Sequence, residues 1–239
     1  MRLRERLRSV LPHGIRVLVV TAVAAERDAV LRGLALAENP IGRPQIVVEV
    51  VGVGPATAAA ATARLLTLAE ADGEPYAAVV AAGIAGGFPG RAEMGGMVLG
   101  TRAVAADLGV QSPAGFESMA QLGYGVSTVD ADPDLLSGLK AQLPAAVVGE
   151  VLTVSTVTGT GERAAELASR HPAAVAEAME GFGVAMAAVV TEAAFLEIRA
   201  IANPVGPRER GAWRIDDALA ALAIAAGALD PVVRATVSD

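Results

Sequence analysis

Continuous runs rich in Val and Ile alternate along the chain with alanine-rich segments that carry charges. Continuous apolar runs of this kind are typical of strands covered on both faces, and the segments between them predict helices. The pattern therefore predicts an α/β fold built on a covered sheet. The predicted strands are 15–22, 46–52, 76–83, 96–107, 145–155 and 195–202, and the predicted helices are 25–36, 56–71, 161–171 and 214–229.

Two stretches fall outside this alternation. Residues 108–135 are richer in Gly, Ser, Pro and Asp, so we expect loops there. At the N-terminus a basic segment precedes the apolar "VLVVTAVAA", a combination that imitates a secretory signal. However, the apolar run is short, and the break at residues 12–14 separates it from the basic part. We therefore interpret 1–14 as a surface extension and 15–239 as one domain.

Composition and charge exclude several classes of function. The 239 residues are 53% apolar but only 3% aromatic, which favours a core of small side chains. A net charge of −7 argues against a nucleic-acid partner. No apolar run reaches the about 18 residues that a membrane span needs, so we expect a cytoplasmic protein with no membrane partner. With no cysteine and two distant histidines, neither a metal site nor a Ser-His-Asp triad is expected.

Candidate site residues lie at or just beyond the carboxyl ends of the predicted strands, where open α/β sheets bind ligands. They are Glu26, "VGVG" at 51–54, "GIAGG" at 83–87, residues 153–160 and Asn203. Position alone favours Glu26 as a carboxylate at a helix N-terminus, and the functional interpretation is a general base that activates water. The glycines permit either turns or close approach to a ligand, and neither segment has a phosphate-loop or dinucleotide fingerprint.

The stretch 177–185, "EAMEGFGVA", contains an anomaly. The surrounding residues 173–190 have the composition of buried chain, with only Glu177 and Glu180 charged. Because an unpartnered buried carboxylate is costly, we expect Glu180 to have a partner. We interpret Glu177 as an ordinary surface or strand-end carboxylate.

The loop that follows the last predicted strand also carries polar groups. Asn203 either forms a turn before Pro204 or presents an amide to the edge of a base. Arg208 and Arg210, in the same loop, are by composition solvated side chains.

In this order the segments resemble the nucleoside phosphorylase and nucleosidase superfamily over about residues 15–229. "AVAAE" resembles the segment whose final Glu is the base, "VGVG" and "GIAGG" resemble two loops of the site, and "EAMEG" resembles the ribose motif. "IAN" resembles the segment that carries the acid for the purine, with Asn203 in place of Asp. The resemblance implies a single-domain, three-layer α/β/α fold with a central mixed, twisted sheet.

Departures from the family pattern resemble the futalosine hydrolase branch, nucleosidases of menaquinone biosynthesis that release hypoxanthine from futalosine. "MEGFG" and "ANPVGPRER" carry this resemblance. Ile84 at the centre of the glycine segment, with no arginine there, favours water over phosphate as the nucleophile. The amide of Asn203 cannot act as an acid, but it can donate to N7 and O6 of a 6-oxopurine or pair with the edge of adenine.

The resemblance implies a role for each motif. Glu26 would activate water, Glu180 would accept hydrogen bonds from the ribose 2′- and 3′-hydroxyls, and Asn203 would bind the base. The family's stacking aromatic has no counterpart near Gly159. The further substrate-binding residues are Val53, Ile84, Ala85, Gly86, Thr158, Gly159, Thr160, Met179 and Arg208. Arg102 and Arg210 are, with Arg208, candidates for binding the substrate's carboxylated tail. Phe88, Phe116 or Phe182 could stack on the base instead.

No metal or organic cofactor is implied, and the expected partners are a small-molecule nucleoside and water. Family members form homodimers or larger homo-oligomers, so a homodimer or homotetramer is expected. Three alternatives stay open: an adenine-specific nucleosidase for methylthioadenosine or aminofutalosine, a purine nucleoside phosphorylase, and a non-catalytic nucleoside-binding module.

Overall fold

Ten strands, six helices and one 3-10 turn make up the described part of the chain, residues 16–36 and 45–238 of a computed structural model. The predicted extension at 1–14 lies outside the described residues. In chain order the elements are β1 Arg16–Thr21, α1 Ala24–Leu36, β2 Gln45–Val50, α2 Pro55–Ala71, β3 Ala78–Gly87, β4 Met97–Ala105, β5 Gly109–Ser112, β6 Gly115–Ser118, β7 Thr128–Asp130, α3 Pro133–Gln142, β8 Val147–Thr153, α4 Gly161–Arg170, β9 Ala174–Ala178, α5 Gly181–Val190, β10 Ala194–Pro204, the 3-10 turn Arg210–Ala212 and α6 Ile215–Ser238.

The main sheet is mixed, as predicted, and part of it closes on itself. Its strand order is β2-β1-β3-β10-β4-β8-β9, and β9 pairs back to β3. Strand β3 makes this closure because it is long: Ala78–Ala81 pair with β1, whereas Gly86 and Gly87 pair with β9. The cavity described below opens at the end of β3 where β9 and β10 flank it.

Helices cover both faces of the sheet, which confirms the three-layer prediction. On one face α1, α3 and α6 pack on a core that includes Val30, Leu139 and Leu222. On the other face α2 and α5 pack on a core that includes Leu66 and Val184. A smaller cluster lies beneath α4 and the end of β8.

The predicted strands and helices all form, but five features differ from the sequence prediction, and one of them is helix α5, which was not predicted. Segment 108–135 is not purely loop: it contains β5, β6, β7 and the start of α3, which Asp132 caps by accepting hydrogen bonds from Asp134 N and Leu135 N. Strand β9 was not predicted, because five residues, mostly Ala and including one Glu, lack a clear strand pattern. The glycine segment 83–87 is the end of β3 and not a loop, and α6 continues to Ser238.

The described residues contain neither a membrane-spanning helix nor a metal-binding cluster. None of the helices there is both long enough and apolar enough to cross a bilayer. Residues 16–36 and 45–238 also contain no cluster of three His, Asp or Glu side chains that could hold a metal ion.

Candidate active site

A cavity of about 280 Å³ opens where β1, β3, β9 and β10 end. It holds ten of the residues proposed from the sequence and several that were not proposed. The lining residues are Ala22, Val23, Glu26, Val53, Ile84, Ala85, Gly86, Val157, Thr158, Glu177, Ala178, Met179, Glu180, Asn203, Val205, Arg208 and Trp213.

Glu26 lies in the first turn of α1, and its carboxylate is held entirely by backbone donors. Its Oε2 accepts from Ala22 N at 2.9 Å and Val23 N at 3.2 Å, and its Oε1 accepts from Ile84 N at 2.9 Å. The residue is 4% exposed, and this burial raises its pKa above the ordinary 4.5 although the Ile84 hydrogen bond and Arg199 oppose the shift. A carboxylate with a raised pKa is a stronger base near neutral pH than an exposed one.

Glu180 has the partner that the sequence led us to expect, and the protein itself supplies it. Its Oε2 accepts a hydrogen bond from Arg199 Nη1 at 3.2 Å, and its Oε1 accepts from Gly54 N at 3.3 Å. Both side chains are nearly inaccessible to solvent, Arg199 at 2% and Glu180 at 9%. A carboxylate paired with arginine still has lone pairs that can accept hydrogen bonds from a ligand.

Glu197 and Arg199 were missed by sequence reasoning. They alternate with apolar residues on β10, and residues two apart on a strand share one face. Arg199 Nε donates to Glu197 Oε1 at 2.9 Å, and the Glu197 side chain is wholly buried. Two charges in an otherwise apolar strand were the signal that could have found them, since such groups are seldom buried unless they are paired.

Glu26, Glu180 and Glu197 surround one guanidinium, and we call these four residues the Arg199 cluster. Burial lowers the pKa of Arg199, but the three carboxylates raise it above the usual arginine value overall. Burial raises the pKa of Glu197, and Arg199 opposes that shift. The guanidinium therefore stays charged, and the cluster is anionic when its carboxylates are ionised.

Glu177 is not a surface residue, and of the two predicted alternatives only the position at the end of a strand holds, since it is the penultimate residue of β9. It is 5% exposed, lines the cavity, and accepts hydrogen bonds from Thr158 N at 2.9 Å and Thr158 Oγ1 at 2.5 Å. Burial raises its pKa, and the bonds to Thr158 oppose the shift. The amide N–H of Thr158, expected to contact a purine, is thus already engaged by Glu177.

Asn203 reaches the cavity because β10 is irregular at this point. The register between β10 and β3 shifts between Ile201 and Asn203, and Asn203 then pairs with Gly86. A Cβ at Gly86 would lie 3.2 Å from Asn203 Nδ2, so the glycine leaves room beside the amide. In the structure Nδ2 donates to Pro204 O at 2.9 Å, which is the turn role that the sequence also allowed.

The aromatic residue of the cavity lining is Trp213, which was not among the residues proposed from the sequence. Its ring lies 5.2 Å from Arg208 Cζ. None of the three phenylalanines proposed for stacking lines the cavity. Phe88 and Phe182 are buried in apolar clusters, and Phe116 packs against Arg170.

Four other proposed residues also lie outside the cavity lining. Arg102, on β4, is paired with Asp130 and Glu150, and Arg210 belongs to the 3-10 turn. Thr160 caps α4 by accepting from Arg163 N, and Gly159 lies under the Arg208 side chain. Local packing and capping therefore explain these residues.

The chain matches a known protein family over nearly its whole length. The family described as the phosphorylase superfamily matches residues 14–238. This chain belongs to the phosphorylase superfamily. Futalosine hydrolase of Streptomyces coelicolor is 49% identical over 92% of this chain and 97% of the relative, and futalosine hydrolase of Thermus thermophilus is 37% identical over 72% and 75%.

Solved structures of low sequence identity share the fold. The 5′-methylthioadenosine/S-adenosylhomocysteine nucleosidase of Neisseria meningitidis superposes with a TM-score of 0.73 at 20% identity, covering 92% of this chain and 99% of that one. A futalosine hydrolase of Helicobacter pylori superposes with a TM-score of 0.71 at 16% identity, covering 94% and 97%.

Proposed function

We propose that this phosphorylase-superfamily chain is a futalosine hydrolase that cleaves the N-glycosidic bond of futalosine with water and releases hypoxanthine. The observation that carries the proposal is the 49% identity to the Streptomyces coelicolor enzyme over nearly its whole length. The cavity supports it, because Glu26, Glu180 and Asn203 line one space. The menaquinone pathway follows from futalosine as the substrate and is part of the proposal.

Glu26 would take a proton from the attacking water. As oxygen bonds to C1′ of the ribose, the C1′–N9 bond breaks and its electron pair leaves with the base. Asn203 Nδ2 would donate to N7 or O6 of the hypoxanthine, which stabilises the charge that the base acquires before solvent protonates it. No metal or organic cofactor enters this scheme.

Glu180 would accept hydrogen bonds from the ribose 2′- and 3′-hydroxyls, with Met179 against the sugar. The transition state of glycosidic cleavage has oxocarbenium character, so nearby carboxylates bind it more strongly than they bind the substrate. The excess of carboxylates in the Arg199 cluster supports this role.

Trp213 and Arg208 would serve the outer parts of the substrate. Trp213 supplies an aromatic surface at the cavity wall, and we propose it as a stacking partner for the base. Arg208 is exposed beside it and is a candidate donor to the carboxylated tail of futalosine.

Water is a better match than phosphate as the nucleophile in this cavity, but not because arginine is absent from the glycine segment. An arginine does lie near the glycine segment, because Arg199 Nη1 approaches Ile84 O at 3.4 Å. Its guanidinium is buried and bonded to two carboxylates, and Glu26 lies close by. A phosphate ion in the cavity would meet the carboxyl groups of Glu26 and Glu180, and the nearby cation is already paired with two carboxylates.

Chromatography of the free base tests the function. Purified protein is incubated with futalosine, aminofutalosine, methylthioadenosine and inosine, each with and without phosphate. We expect hypoxanthine from futalosine at a rate that phosphate does not change. Faster adenine release would favour the adenine nucleosidase, phosphate-dependent turnover would favour a phosphorylase, and binding without turnover would favour a nucleoside-binding module.

We further infer a cytoplasmic homodimer or homotetramer with 1–14 as an extension of the catalytic domain. These inferences rest on the family resemblance. Light scattering on the purified full chain decides the oligomeric state, and a monomer would contradict it.

A further inference from the structure

Glu197 has no place in the scheme above, yet it is the most deeply buried carboxylate of the described residues. It is wholly inaccessible, and its Oε2 has no hydrogen-bond partner within residues 16–36 and 45–238. Leaving a buried carboxylate oxygen unpaired is costly, so an apolar residue would serve the core better. This cost points to a role beyond packing.

Two glycines create the space that Glu197 occupies. A Cβ at Gly181 would lie 2.2 Å from Glu197 Oε1 and 2.3 Å from Oε2, and a Cβ at Gly100 would lie 3.1 Å from Glu197 Cβ. Gly181 directly follows Glu180 and begins α5, whose positive N-terminal end favours a negative charge. Gly181 is therefore explained by the carboxylate beneath it, and not by close passage of a sugar.

Glu197 also determines where the Arg199 guanidinium points. The guanidinium is planar and rigid, so holding Nε on Glu197 at 2.9 Å directs Nη1 towards its contact at 3.2 Å with Glu180. Glu197 does not line the cavity, whereas Glu180 does. The chain of contacts thus runs from the interior to the carboxylate that faces the ligand.

The charge of Glu197 has a second effect. Glu26, Glu180 and Glu197 are the carboxylates whose fields act on Arg199 in this cluster. Without the charge of Glu197, Arg199 would act on Glu26 and Glu180 alone. It would stabilise the ionised form of Glu26 more strongly, and it would compete with hydroxyl donors for the oxygens of Glu180.

We propose that Glu197 is a positioning residue for the hydrolysis, which aims Arg199 at Glu180 and keeps the sugar end of the cavity anionic. The proposal rests on the proposed function, since it assigns Glu180 to the ribose. Glu197 acts only through Arg199 and makes no contact with substrate.

Glu197→Gln removes the charge but keeps an oxygen that can accept from Arg199 Nε. We expect kcat/KM for futalosine to fall about tenfold to a hundredfold, because the cavity stabilises a cationic transition state less well. The acid limb of the pH profile should move to lower pH by about one unit, because Glu26 becomes easier to ionise beside a less neutralised Arg199. A wild-type rate with an unmoved limb overturns the proposal.

Glu150→Gln is the matched control, because Glu150 also faces an arginine from a strand of the same sheet but lies outside the cavity. We expect it to leave kcat/KM and the acid limb unchanged. If both variants lower the rate equally without moving the limb, the effect is one of general stability and the proposal is wrong.

Crystal structures test the positioning role independently of turnover. In Glu197→Ala, which removes the anchor on Nε, we expect the Arg199 guanidinium to turn and to change the geometry of its contact with Glu180 Oε2, and in Glu197→Asp we expect that contact to lengthen. A guanidinium that keeps its place in both variants overturns the proposal, even if the wild-type protein cleaves futalosine. A wild-type protein without futalosine turnover would instead contradict the proposed function and leave this structural comparison valid.

Discussion

Arg199 and Arg102 have the same local chemistry in very different surroundings. Each donates from Nε to one carboxylate and from Nη1 to another: Glu197 and Glu180 at 2.9 and 3.2 Å for Arg199, Asp130 and Glu150 at 2.6 and 3.3 Å for Arg102. The Arg102 side chain is 41% exposed, whereas that of Arg199 is 2% exposed.

Burial therefore separates the Arg199 cluster from a solvated cluster of the same local chemistry. Water screens the Arg102 pairs, so their charges contribute little to stability. These pairs also lie outside the cavity. In the Arg199 cluster each charge depends on the others, because removing one leaves an uncompensated charge in a medium of low polarity. Both are single arginines in predicted strands, so the sequence pattern does not distinguish them. Sequence reasoning therefore proposed Arg102 for substrate binding and overlooked Arg199.

Glu26→Gln should give the largest effect of any change in the Arg199 cluster. We expect kcat for futalosine to fall about a thousandfold or more, because the amide cannot take a proton from water. Ligand binding should largely persist, and quenching of the single tryptophan, Trp213 in the cavity wall, can measure it.

Asp28→Asn is the control for that variant. Asp28 lies on the same helix, is exposed and pairs with Arg27. Its turnover should equal that of the wild type, and full activity in Glu26→Gln would remove Glu26 from the mechanism.

Substituting each arginine by Met tests the contrast directly through the free energy of unfolding. We expect Arg199→Met to lose about 3–5 kcal/mol, because it leaves buried carboxylates without their cation. We expect Arg102→Met to lose less than about 1 kcal/mol. Urea denaturation measures both, and equal losses would show that burial does not separate the two clusters.

Asn203→Asp probes the proposed contact with the base, away from the Arg199 cluster. A carboxylic acid at 203 could protonate N7 of adenine, so we expect the ratio of kcat/KM for aminofutalosine to that for futalosine to rise about tenfold. The ratio is independent of the fraction of folded enzyme. An unchanged ratio would contradict the assignment of Asn203 to the base.

The pH profile gives the smallest predicted effect, a displacement of one limb. Glu26 must be ionised to act as the base, and burial raises its pKa above 4.5. Activity should therefore be lost as the pH falls through a value above 4.5, and it should be complete well above that value. Initial rates across the acid range measure this, and an acid limb at or below 4.5 would argue against a buried base.

Periodicity and order of motifs were sufficient for the fold class and for most of the cavity. The predicted strands form, because continuous Val and Ile runs are stable when helices cover both faces of a sheet. Glu26 and Asn203 follow predicted strands that end at the same edge, so their convergence could be inferred without coordinates. Glu180 was assigned to the same site only through the resemblance of "EAMEG" to the ribose motif.

The remaining features depend on contacts between distant segments. Burial of Glu177 follows from the pairing of β9 with β3, and Trp213 reaches the cavity from a loop whose composition is polar. Closure of the sheet likewise requires β3 to exchange one neighbour for another along its length. Local propensity contains no information on such pairings.

The sequence by itself determines where the carboxylates occur along the chain and indicates that Glu180 needs a partner. Only the tertiary structure decided that the partner is Arg199, 19 residues further along, and that Glu197 lies behind it. The physical reason is that the energy of a charge depends on the polarity and the neighbours around it, and the fold assembles both from segments far apart in the chain.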